Sequence, residues 1–134
     1  MNIKWVYWAA TFLLALMYIG GAGMYLSNIP MVQDLYIQFG YPAYLVPILA
    51  GLKLAAAIVI LWRFSVALSD LAYAGMFFHL LLAAGAHIGI GDMGFAPAVI
   101  GLVLLAVSFL TQNAARRKAS PYGSLRALRG HVVA

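Results

Sequence analysis

The sequence predicts an all-α membrane protein: a transmembrane four-helix bundle with its N- and C-termini in the cytoplasm. Three observations lead there. First, the 134 residues are 66% hydrophobic and only 8% charged, whereas a soluble domain is about 25% charged. Second, the apolar residues gather into four runs, each close to the roughly 20 residues a helix needs to cross a bilayer. Third, Lys and Arg fall in alternate connections. Lys4, Arg63 and the run Arg116, Arg117, Lys118 lie before the first run, between the second and third, and after the fourth, while the other two connections hold Asp34 and Asp92 and no basic residue. An even number of spans puts all the basic segments on one side, and that side is the cytoplasm.

The predicted spans are residues 5–26, 43–62, 70–90 and 95–112. Together, residues 1–112 make the four-span membrane unit, and 113–134 is a basic cytoplasmic tail. The first span is too long for the apolar core of a secretory signal and has no clear small-x-small cleavage site, so it reads as a retained span. Trp5, Trp8 and Trp62 sit near the cytoplasmic ends, where interfacial aromatics anchor helices. The longest outer connection is "SNIPMVQDLYIQFGYP". Pro30 suits a helix start, Gly40 and Pro42 a stop, and Met31, Leu35 and Phe39 recur at spacing four. This predicts a short amphipathic helix lying over the outer mouth of the bundle, either a plain connector or a lid. Five of the eight basic residues follow Thr111, so the net charge of +5 describes a tail that touches lipid headgroups, not a nucleic-acid-binding domain. The location that follows is the cell inner (cytoplasmic) membrane, multi-pass. There are no cysteines, which excludes disulfides, thiolate metal sites and iron–sulfur clusters held by this chain.

Polar residues inside the spans are the functional signal. Lys53, in "ILAGLKLAAAIVI", lies at the middle of the second span, where a lysine costs on the order of 2.5–3.5 kcal/mol on insertion scales. It must face the bundle interior, either satisfied there by carbonyls and water or lining a pocket that binds something. His79 lies nine residues into the third span from Asp70, as Lys53 does into the second from Trp62. At 1.5 Å per residue both lie about 13–14 Å from the cytoplasmic face, on antiparallel neighbours, so they are expected to meet near the midplane. No Asp or Glu is predicted at that depth. The missing counter-charge points to a ligand, water or a partner chain.

His87 is eight residues past His79, about 80° round the helix and about 12 Å higher. The two cannot share a metal ion, and no metal site is expected. A His/Met haem using Met17, Met24 or Met76 is the weaker alternative. His87 is expected near the outer mouth beside Asp92, as an interfacial histidine or as a gate or proton handle. "GAHIG" and "GLKLA" are small-xxx-small patterns (Gly85 with Gly89, Gly51 with Ala55) that would bring helices close and put His87 and Lys53 in the seam. "GGAGM" in the first span, flanked by Tyr18 and Tyr25, would let that helix pack closely or bend, and the two tyrosines are candidate walls for a flat ligand. The candidate ligand-binding set is therefore Lys53, His79, His87, Tyr18, Tyr25 and Asp92.

Several pieces occurring in order carry a family resemblance: Gly40-Tyr41-Pro42, Gly51 with Lys53, Ala72-Tyr73-Ala74-Gly75, and His87 with Gly91-Asp92. Over about residues 13–112 the chain resembles the DoxX-like family of small four-helix membrane proteins. The resemblance implies a bundle with both ends in the cytoplasm, and Lys53 and His87 as pocket residues. The family's namesake is a membrane subunit of a thiosulfate:quinone oxidoreductase, and other members are linked to redox complexes. One departure stands out. An acidic residue often occupies the position of His79 in the family, and a serine that of Ala86, so the ion pair an acid would make with the lysine is missing here.

Two functions from different classes follow. One is a membrane subunit of a redox system that binds a quinone or lipid-like ligand around Lys53, His79 and His87, with no covalently bound cofactor and with electrons from other membrane or redox subunits. The other is a non-catalytic accessory or structural subunit of a larger membrane assembly. A solute carrier is weaker, because no inverted repeat is visible.

Overall fold

In the computed structural model, which describes residues 1–132, the chain is all-helical. The elements are α1 (Ile3–Ser27), α2 (Ile29–Gln38), α3 (Leu45–Trp62), α4 (Val66–Ile90), α5 (Phe95–Ala115) and α6 (Leu125–Val132). Helices α1, α3, α4 and α5 are each long and apolar enough to cross a membrane. Their outer faces carry large apolar side chains such as Phe12, Leu16, Leu52, Ile58, Phe78, Leu82, Ile100 and Val103. Helices that are apolar all round belong in lipid or in a large core, and a chain this short has no large core.

Local chemistry sets the helix ends. Asn2 caps α1 by accepting from the Lys4 N–H at 3.0 Å. Asn28 caps α2 through the Met31 N–H, with Pro30 in its first turn. The third span was expected from residue 70, but α4 starts at Val66 because Ser65 accepts the Leu68 N–H at 3.3 Å. Asp70 therefore lies inside the helix, where its carboxylate accepts the Ser120 hydroxyl at 2.8 Å. The last span also runs past residue 112, to Ala115. Gln112 is fully buried, and Asn113 both donates to the Ser120 carbonyl and accepts from its N–H. The start of the tail thus folds back onto the bundle end instead of leaving it.

Helix α1 packs along both α3 and α5, and α4 packs on α5 and more loosely on α3. The core between them is built from Leu14 and Tyr18 of α1, Ala57 and Ile60 of α3, Tyr73, Met76 and Leu80 of α4, and Leu105 of α5. A small polar seam crosses it near one end: Ser108 shares hydrogen bonds of 2.6 Å with Thr11 and with Tyr73. At the same end Arg116 donates to the Tyr7 hydroxyl and to the carbonyls of Ile60 and Leu61, at 2.7–2.8 Å. The start of α1 and the ends of α3 and α5 therefore lie together. At the opposite end α2 lies against the start of α3, through Val32, Tyr36 and Val46.

The glycine pairs singled out above are not helix contacts within this chain. Gly51, Ala55, Gly85 and Gly89 are exposed, and a Cβ built on any of these glycines meets nothing within 4 Å. Helical geometry explains the error. Gly51 is two residues from Lys53, about 200° round the helix, so the two cannot share a face. The small residues on the lysine's own face are Ala50 and Ala57, three and four positions away, and both are fully buried. Within the spans the close approach falls at Gly101, where a Cβ would lie 2.5 Å from Met17 Cε and 2.8 Å from a Leu80 methyl.

Candidate functional site

Tyr18, Gly21 and Tyr25 lie at spacings of three and four on one face of α1. Lys53 reaches from α3 into the gap between the two rings. Its Nζ lies 4.9 Å from the centroid of each ring, and a Cβ on Gly21 would be 3.6 Å from it. That is ordinary van der Waals contact, so Gly21 borders the ammonium without being needed to make room for it, and the two rings turn their π-faces to the cation, each worth about 2 kcal/mol when desolvated. Lys53 is 9% exposed. Among the described residues it makes no hydrogen bond and no ion pair.

His79 stands on α4 next to this group. Its Nδ1 is 2.9 Å from the Tyr18 hydroxyl, which also lies 3.2 Å from the Met76 carbonyl. Lys53 and His79 are thus joined through Tyr18: the ammonium lies over its ring and the imidazole holds its hydroxyl. A groove of about 320 Å³ opens between α3 and α4, with Lys53, His79, Tyr18 and Met76 in its lining. Its origin is legible in the side chains. Midway along the groove α4 presents Ala72 and Gly75 toward Ala55 and Ala56 of α3, between larger side chains above and below. These four are too small to fill the space between two helices there.

A second cavity, of about 740 Å³, lies beneath α2. Tyr25, Tyr36, Phe39, His79 and His87 line it, and it shares Leu49 and His79 with the groove. The Tyr25 and Tyr36 hydroxyls bond at 2.9 Å, which ties α2 to the tyrosine that covers Lys53. Burial, then the hydrogen bond with Tyr25, raises the Tyr36 phenol above its usual pKa, so that bond carries no charge at physiological pH. His87 packs on Phe39 at 4.8 Å between ring centroids, and its Nδ1 lies 2.7 Å from Asp92, which also accepts the Gly94 N–H at 2.6 Å. Asp92 does not line either cavity and touches the site only through His87.

The six candidate residues therefore divide. Tyr18, Lys53 and His79 share the groove between α3 and α4, while Tyr25 and His87 face the outer cavity with Asp92 behind. His79 belongs to both. Sequence reasoning left Tyr36 and Phe39 out of the binding set. Phe39 stands in the spacing-four pattern of the helix expected over the outer mouth, which hinted at it, while nothing marks Tyr36; the fold of α2 brings both to the cavity.

These features define a class: a multi-pass, helical integral membrane protein with a cation buried in the seam between its spans. The chain belongs to the DoxX-like family, whose sequence profile matches residues 9–111. No curated protein and no solved structure matched the chain.

Proposed function

We propose that this protein binds a quinone or a similar lipid-like molecule in the groove between α3 and α4, as a subunit of a membrane redox system. The observation that carries the reading is the unpartnered Lys53 ammonium on that groove. A buried cation without an acceptor is costly, and intramembrane ionisable groups mark ligand or ion sites. A quinone fits what is missing. Its carbonyl oxygens accept hydrogen bonds, its flat ring suits walls of tyrosine and small aliphatic residues, and its apolar tail suits a groove that opens toward lipid. A quinone supplies two-electron redox chemistry when bound. The chain's own residues bind and orient: Lys53 donates to an oxygen and balances negative charge on it, His79 makes a second polar contact, and Leu49, Leu52 and Met76 keep water out. Electrons come from a partner protein. The basic segments and Arg116 at one end support, by the positive-inside rule, an orientation with both termini in the cytoplasm, and the reading is of a four-helix bundle in the inner membrane.

The test is a Lys53→Met variant in lipid nanodiscs, with binding of a decyl-substituted benzoquinone followed by Tyr and Trp fluorescence quenching. Methionine matches the lysine stem and removes the charge. The expected result is a folded protein that binds at least roughly tenfold more weakly, the loss expected of a charge-assisted hydrogen bond of about 1.5–3 kcal/mol. Unchanged binding sinks the reading.

A further inference from the structure

Tyr18 has one hydroxyl proton and two acceptors within reach, the Met76 carbonyl at 3.2 Å and His79 Nδ1 at 2.9 Å. Two arrangements are open to the group, the first with two hydrogen bonds at the hydroxyl and the second with one there and an N–H of the ring free for a ligand or water. In one, Tyr18 donates to Met76 and accepts the His79 Nδ1–H, which leaves Nε2 as a bare acceptor. In the other, Tyr18 donates to Nδ1 and Nε2 carries the proton. Nε2 has no hydrogen-bond partner among the described residues, and His79 lines both cavities. We propose that Tyr18 is a positioning residue that lets His79 reverse its hydrogen-bonding sense, so that one histidine donates to the carbonyl of an oxidised ligand and accepts from the hydroxyl of the reduced one.

This rests on the quinone reading of the groove. The reversal is a change of tautomer. One proton leaves Nδ1 and one arrives at Nε2, with water in the ligand-free groove as the carrier, and the site's net charge does not change. Lys53 cannot do the same, since an ammonium only donates. A site built from Lys53 alone would favour the oxidised form. With the Tyr18–His79 pair it holds both, as a subunit that must take up one form and release the other requires.

The test uses the full chain in nanodiscs, with the decyl-substituted benzoquinone and its quinol as probes. The variant is Tyr18→Phe, which keeps the ring over Lys53 and removes only the hydroxyl. Without a partner, a buried Nδ1–H is worse than a bare Nδ1, so His79 settles with its proton on Nε2. Quinol binding is then expected to weaken about tenfold and quinone binding less than threefold. In a His79→Gln background the amide can turn over to donate or accept, and Tyr18→Phe is expected to leave the ratio unchanged. Equal losses of both probes in Tyr18→Phe, or the same shift in the glutamine background, overturn the proposal. The ligand-free protein gives a separate reading. Nitrogen-15 NMR of His79 is expected to show both tautomers, reduced to one in Tyr18→Phe. If neither probe binds, the quinone reading fails while this spectrum still decides the switch: a single wild-type tautomer overturns it.

Discussion

Lys53, in the middle of α3, and Arg116, at the end of α5, are both cations packed against the bundle, and the fold treats them in opposite ways. Arg116 uses its donors: Nε goes to Tyr7, one Nη to the carbonyls of both Ile60 and Leu61, and its Cζ lies 4.5 Å from the Trp8 ring centroid. The two carbonyls belong to the last turn of α3, which has no further helix to receive them. Arg116 thus closes α3 and ties it to α1 and α5, the work of a planar fork rather than a point charge. Lys53 donates to nothing among the described residues. That contrast separates a cation that ties helix ends together from one with no acceptor among the described residues. Arg116→Ala is therefore expected to lower stability by about 1.5–3 kcal/mol, the range for hydrogen bonds to a charged group. Arg116→Lys should recover only part of it. Thermal unfolding in nanodiscs checks both, and an alanine variant as stable as the wild type would contradict the role. Lys53 was legible from the sequence because charge in an apolar run is rare. Arg116 was not, because one arginine in a basic tail looks like its neighbours and only the fold brings α3's carbonyls to it.

The elements themselves were legible where one physical rule governs them. Four apolar runs became four long helices, and Pro30 and Gly40 bracketed α2. What escaped depended on single side chains: the Ser65 cap that starts α4 early, and the Ser120 contacts that hold the tail against α4 and α5. The corner between α4 and α5 shows how much one position can carry. Gly91, at φ +74°, ends α4 in the left-handed region that favours glycine. Three residues on, Gly94 has an ordinary backbone but no room, because a Cβ there would run into the His87 ring and come within 2.9 Å of Asp92. Gly94→Ala is expected to cost roughly 1–3 kcal/mol by overpacking and to push His87 off Asp92. In a His87→Ala background the same change should cost clearly less, because the colliding ring has gone and only the Asp92 contact remains to be relieved. Unfolding of the single and double variants measures that coupling. Additive losses would mean that Gly94 matters for another reason.

At the scale of the whole molecule, the groove exists because α1 takes most of the packing. It lies along α3 and α5, and α4 leans on α5, so the α3–α4 side stays loosely closed. No local pattern in the sequence announces this. The sequence counted His79 nine residues from Asp70, whereas α4 starts four residues earlier, at Val66, and Lys53 and His79 come onto one groove all the same; the gap beside them depends on which pairs of helices win the packing. The gap can be closed without touching a polar group. Gly75 lines the groove, and a Cβ there meets nothing within 4 Å. Gly75→Leu places a branched side chain in that space and replaces the poorest non-proline helix former with a good one. Stability is then expected to hold or rise by up to about 1 kcal/mol, and binding of the decyl-substituted benzoquinone to weaken at least roughly tenfold, since the filled volume and the ligand exclude each other. Lys53, His79 and Tyr18 keep their contacts in this variant, so a loss of binding locates the ligand in the groove itself. Full binding by a stable Gly75→Leu protein would move the site to the outer cavity beneath α2, where Tyr25 and His87 remain and Gly75 has no part in the lining.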